Sequence, residues 1–193
     1  MNIYKFHSNP DELIGYTDRD WYFGDEAEEL ILQGKEVTKP VIGDLDLLGT
    51  PITSLPDNLT VIGYLWLEDT PITSLPDNLT VQGGLNLSNT QITSFPDNLS
   101  VGGYLWLDGT PITSLPDNLT VGGDLNLEDT QITSLPDNLT VHGDLGLGYT
   151  KITSLPDNLT VSGYLWLENT PNLDKDNLLV VNAKIYKYTL KSR

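Results

Sequence analysis

Cysteine is absent from the 193 residues, which removes disulfides, thiolate metal sites and cysteine nucleophiles together. Histidine occurs only as His7 and His142, and neither is spaced as part of a nucleophile–base pair, so no catalysis and no cofactor are expected. No apolar run approaches the ~20 residues of a membrane span. The opening MNIYKFHSNPDELIGY has one basic residue and no apolar core, so the expected location is cytoplasmic. Basic residues are scarce: 10 Lys and Arg stand against 27 Asp and Glu, a formal net charge of −17. Between Lys39 and Lys151 there is none at all, while residues 41–150 carry 14 carboxylates. That balance argues against direct binding to nucleic acid or to an anionic membrane.

What the sequence does contain is a repeat. Blocks starting at Val41, Val61, Val81, Val101, Val121 and Val141 align without a gap over 20 residues on the pattern V-x-G-x-L-x-L-x-x-T-x-I-T-S-L-P-D-N-L-T, with Phe95 and Ser100 as the mild exceptions. A seventh block keeps VSGYLWLENT from Val161 and then dissolves into PNLDKDNLLV. Within a block, Gly63-Tyr64-Leu65-Trp66-Leu67 alternates at period two, the pattern of a short strand. Pro71 to Asn78 carries two prolines and cannot be a helix interior, and Pro-Asp-Asn is turn chemistry. One block cannot bury Leu65, Leu67, Ile72, Leu75 and Leu79 by itself. Stacked blocks can, by laying them into continuous columns, so the fold class is a repeat solenoid with a parallel sheet on one face.

The run Leu-x-Leu-x-x-Thr-x-Ile-x-x-Leu-Pro-x-x-Leu is similar to the leucine-rich-repeat consensus over residues 41–170, with Thr50, Thr70, Thr90, Thr110, Thr130, Thr150 and Thr170 where that family usually has Asn or Cys. Its Leu-Pro resembles the short bacterial LPX class, found in secreted effectors that include ubiquitin ligases. The resemblance implies a recognition scaffold; the ligases of that class need a separate cysteine-bearing domain, and this chain has neither. The Val-x-Gly before the strand departs from the family spacing, which keeps a parallel β-helix cross-section open beside the horseshoe. The segment HSNPDELIGY resembles the start of some small tailed-bacteriophage proteins.

A solenoid has two open ends that need covering. Residues 1–40 read as an N-terminal cap with short helices at Asn9–Gly15 and Gly24–Gly34, the second with Ala27, Leu30 and Ile31 on one face. Residues 41–170 are the solenoid, and 171–193 a C-terminal cap with closing strands around Leu178–Val181 and Ala183–Tyr188.

With core and turns fixed, information resides in the strand positions that differ between blocks. One row runs Asp44, Tyr64, Gly84, Tyr104, Asp124, Asp144, Tyr164; the next Asp46, Trp66, Asn86, Trp106, Asn126, Gly146, Trp166; the third Leu48, Glu68, Ser88, Asp108, Glu128, Gly148, Glu168. At ~4.8 Å per coil, the aromatic pairs of the Val61 and Val101 blocks are expected ~10 Å apart and that of the Val161 block ~14 Å further on, a span suited to a protein surface. Exposed Tyr and Trp bury much area at low entropy cost. The expected function is therefore non-catalytic protein binding by a monomer through Tyr64, Trp66, Tyr104, Trp106, Tyr164 and Trp166, with Glu68, Asp108, Asp124 and Glu168 steering a basic partner. The alternative is an acidic nucleic-acid mimic, a decoy for a DNA- or RNA-binding protein and a phage anti-defence factor. It draws on Asp57, Asp77, Asp97, Asp117, Asp137 and Asp157, a column at one repeat position that is otherwise expected to bond local N–H groups.

Overall fold

A computed structural model describes residues 20–96, 99–117 and 119–174, together with the backbone of 184–186. The chain winds into a parallel β-solenoid of about seven turns. Among the described residues two sheets of eight strands run along it. The first begins at Tyr22–Phe23 and Val41–Ile42 and continues through Thr60–Val61 and its equivalents to Thr160–Val161. The second runs from Leu45–Asp46 through Leu65–Trp66 and its equivalents to Tyr164–Trp166 and Lys184–Tyr186. All pairings are parallel, and between repeats the register advances by one block, as in Thr60↔Thr80 and Leu65↔Leu85.

The sheet built on Leu-x-Leu is the one read from the alternation. The other rests on the Thr-Val pair at the block boundary, two β-branched residues suited to a half-buried pleat, with Val61, Val81, Val121 and Val141 fully buried. Between the sheets the chain turns a corner at the glycine of Val-x-Gly. A Cβ placed on Gly83, Gly103, Gly143 or Gly163 would fall inside contact distance of the preceding coil's glycine backbone, 2.8 Å from the Gly83 carbonyl carbon in the case of Gly103. Only glycine lets successive corners stack this closely.

The third side of each coil is extended but forms no regular ladder, and proline explains why. Pro71 has no N–H to give, whereas Gln91, Gln131 and Lys151 at the same repeat position donate to Ile72, Ile112 and Ile132 of the coil before at 3.1–3.2 Å. The turn after the second sheet places Gly49, Asp69, Asn89, Gly109, Asp129, Tyr149 and Asn169 at positive φ, from 48° to 70°. All but Tyr149 are residue types that tolerate the left-handed region. Asn58, Asn78 and Asn138 do the same in the Pro-Asp-Asn turn.

The interior is apolar columns: Leu65, Leu67, Ile72, Leu79 and Val61 of one coil lie on their equivalents in the next, and all but the Leu79 column are fully excluded from solvent in most coils. The threonine column is buried as well, with Thr70, Thr90, Thr110, Thr130 and Thr150 at most 2% exposed. Each hydroxyl donates to the carbonyl three residues back in its own coil, as Thr70 does to Leu67 at 2.7 Å, so a single donor is enough to keep a buried group satisfied.

Helix α1, Gly24–Leu32, covers the first coil with Ala27 and Ile31 buried and Leu30 packed against the core. Glu26 accepts from the Phe23 N–H at 2.8 Å, half of a capping box. The helix closes with Gly34 at φ 67°, the Gly34 and Lys35 N–H groups donating to Ile31 and Leu30 in a Schellman motif. The expected helix at Asn9–Gly15 and the strand around Leu178–Val181 lie outside the described residues. Among the described residues no helix is long and apolar enough to cross a membrane.

Candidate binding face

The outer surface of the second sheet carries the three variable rows. Tyr64 and Tyr164 are 42% and 39% exposed, while Trp66, Tyr104, Trp106 and Trp166 are half-buried. Glu68 and Asp108 are half-buried, and Asp124 and Glu168 are exposed.

The rings are not spaced as the coil rise implies. Tyr64 and Tyr104 stack with centroids 5.5 Å apart, and Tyr104 stacks on Trp106 at 4.4 Å. Trp66 meets Trp106 edge-on at 6.4 Å, and Trp66 closes the group against Tyr64 and Tyr104 at 6.1 and 6.0 Å. Two coils that should stand apart form one four-ring plate. The cause is the rung between them: Tyr104 lies down on Gly84, where a Cβ would collide with the ring. Beneath the plate, Asn86 is 1% exposed. The Tyr104 hydroxyl is buried and finds no hydrogen-bond partner among the described residues. Burial first, then Tyr64 and Asp44, push its pKa up to about 12.

Tyr164 and Trp166 form a separate pair at 6.1 Å. Here the preceding rung is Asp144, which takes the Tyr164 N–H on Oδ1 at 2.8 Å and the Trp166 indole N–H on Oδ2 at 3.1 Å. Asp44 and Asp124 play the first of these parts for Tyr64 and Asp144, at 2.9 and 2.8 Å. Acidic residues of this row therefore receive outward-pointing amides from the next coil. Asp124 is one of them, besides being an exposed charge.

The third row is held by neutral donors. Glu68 accepts from Asn86 Nδ2 at 3.0 Å, Asp108 lies against Ser88 Oγ at 2.7 Å and Asn126 Nδ2 at 3.3 Å, and Glu168 accepts from the Tyr149 hydroxyl at 3.3 Å. Glu128 stretches over Gly146 and Gly148, whose absent side chains leave it room. Burial, then Asp108 and Glu168, raise its pKa.

The residues that organise this face are as much the small ones as the large: Gly84, Asn86, Ser88, Gly146 and Gly148 decide where their neighbours lie. They sit in the same variable rows as the aromatics, so their signal is present, but reading rows for large side chains passes over it. Tyr149, 53% exposed at φ 58°, is a further member that the rows do not include. On the opposite turn, Asp57, Asp77, Asp117, Asp137 and Asp157 are exposed, and the carboxylates of Asp57, Asp77, Asp137 and Asp157 bond no local N–H group, which corrects the expected turn-capping role. Asp97 lies outside the described residues. No group of His, Asp and Glu among the described residues is arranged to hold a metal ion.

No protein-family model matches the chain, and no curated protein matches it in sequence.

Proposed function

We propose that the chain is a non-catalytic protein-binding module that uses the outer face of its second sheet. The observation that carries this reading is the four-ring plate of Tyr64, Trp66, Tyr104 and Trp106, partly open to solvent and bordered by carboxylates with no Lys or Arg in the same coils. Contiguous aromatic surface of this kind is a typical binding anchor, and the surrounding charge favours a basic partner. The likeness to LPX-type leucine-rich repeats supports the same class of task, and a cytoplasmic monomer is the form in which we picture it acting. A second reading draws on a different observation: Asp57, Asp77, Asp117, Asp137 and Asp157 are exposed at one repeat position whose coils rise ~5 Å each, a row of charge that fits an acidic decoy for a nucleic-acid-binding protein, as a phage product directed at host defence would be.

Capture from bacterial lysate at low and moderate salt, with wild type beside a Trp66→Ala/Trp106→Ala/Trp166→Ala variant of matched fold, separates the two. A protein held through moderate salt and lost from the variant supports the aromatic face. Basic nucleic-acid-binding proteins retained by both and released by salt support the decoy.

A further inference from the structure

Three coils carry the same five-residue strand, Tyr64-Leu-Trp66-Leu-Glu68, Tyr104-Leu-Trp106-Leu-Asp108 and Tyr164-Leu-Trp166-Leu-Glu168. Alternation along the strand puts Tyr, Trp and the carboxylate on the outer face of each, beside one another. We infer that these triads are docking points for arginine side chains of a protein partner, the guanidinium stacking on the rings while the carboxylate takes its N–H groups. This rests on the reading of the face as a protein-binding surface and names the chemistry that it would recognise.

Glu68, Asp108 and Glu168 are each held by neutral donors, so they are fixed in place without losing their charge. One oxygen of each, Oε1 of Glu68, Oδ2 of Asp108 and Oε2 of Glu168, is bonded to no donor among the described residues. Glu128 adds a fourth charge to the row, brought in over Gly146 and Gly148. Within residues 41–150 the chain offers no Lys or Arg of its own, so the charge that compensates Glu68 and Asp108 comes from outside those coils. A partly desolvated ring face next to a fixed carboxylate suits a planar, weakly hydrated cation, which distinguishes arginine from lysine. The carboxylate positions Glu68 and Asp108 stand two coils apart and Glu168 three further, so the partner would present its arginines at roughly 10 and 14 Å spacings along that row.

The test uses the full chain and three otherwise identical glycine/serine peptides carrying several arginines, lysines or citrullines, with tryptophan fluorescence and calorimetry as readouts at moderate salt. The inference expects the arginine peptide to bind about three- to tenfold tighter than the lysine peptide, and the uncharged citrulline peptide to be weakest. Glu168→Gln and Glu68→Gln, which preserve shape and hydrogen bonding, should each weaken the arginine peptide and leave the thermal melt within a few degrees. Equal binding of arginine and lysine peptides, or binding unchanged in the Gln variants, would overturn it in favour of diffuse attraction. Absence of arginine binding while lysate capture still depends on the tryptophans would overturn the arginine assignment and leave the binding face standing. Loss of both dependences would remove both. Arginine-dependent binding accompanied by chain dimerisation in light scattering would point to a second copy as the source of the cation and overturn the assignment to a different protein.

Discussion

Tyr104 and Tyr164 occupy the same position of the same motif and end in different places. Tyr104 lies flat, half-buried, with rings on both sides; Tyr164 is 39% exposed and lies tilted beside its own Trp166. Their coils differ little. What differs is what precedes them: twenty positions earlier Gly84 against Asp144, and forty positions earlier Tyr64 against Asp124. Glycine yields its surface to the neighbour's ring, whereas aspartate uses its carboxylate to bond the neighbour's backbone and indole N–H groups. In a solenoid the environment of a side chain is set by the preceding rung as much as by its own.

The largest effect expected concerns a feature that both regions share. Gly103 and Gly163 are the corners beneath the two tyrosines, and each packs on backbone that cannot swing aside. Gly103→Ala and Gly163→Ala should each prise two coils apart at a cost of about 2 kcal/mol or more, read by urea denaturation. A loss under about half of that in either would mean that the corners can open without disturbing the ladder.

Next comes the exchange of the deciding residue. Gly84→Asn, which brings in the side-chain shape of Asp144 without its charge, should lift Tyr104 off the plate, lowering stability by about 1–2 kcal/mol and bringing its titration down from about 12 towards the ordinary tyrosine value of 10. Ultraviolet titration measures this directly. A pKa that stays near 12 would show that the stack does not depend on the glycine.

These comparisons also mark what was legible in the sequence. The period, the apolar columns and the Pro-Asp-Asn turn could be read because each is written repeatedly, and one copy's reading checks the next. The first sheet was less visible, because Thr60-Val61 and its equivalents lie at the block boundary and show no alternation to count. The turn at Asp69 and its equivalents was written in Gly, Asp and Asn, yet Tyr149 takes the same left-handed backbone with none of their tolerance. The aromatic row was found but mis-spaced. Coil rise gives the separation of Cα atoms, and a ring that lies over Gly84 moves its centroid across most of one coil.

Smaller effects sharpen the contrast. Asp144→Ala removes the acceptor for both Tyr164 N–H and Trp166 Nε1–H, and should cost about 1 kcal/mol with a red shift of tryptophan emission. Tyr104→Phe removes a buried hydroxyl that has no partner among the described residues, so it should be neutral or stabilising by up to about 1 kcal/mol. Tyr164→Phe, at an exposed ring, should leave the midpoint of denaturation where it is. A clear loss in Tyr104→Phe would reveal that the hydroxyl is bonded in solution.

The smallest effect is electrostatic and separates the two ends of the face. Glu128 lies between them, and its pKa is raised above 4.5 by burial first and then by Asp108 and Glu168. A carboxyl whose folded pKa exceeds its unfolded one binds protons more readily when folded. Its contribution is therefore fully present below the unfolded pKa and is lost as pH rises through the folded value. Stability should accordingly rise as pH falls from neutral towards 4.5, and Glu128→Gln should flatten that slope while stabilising the chain slightly at pH 7. Glu68→Gln is the control: it neutralises a carboxylate of the same row that bonds Asn86, changing the net charge equally. If both variants flatten the slope to the same extent, the pH dependence belongs to the overall charge of −17. A difference between them assigns it to the crowding of Glu128 over its glycine floor.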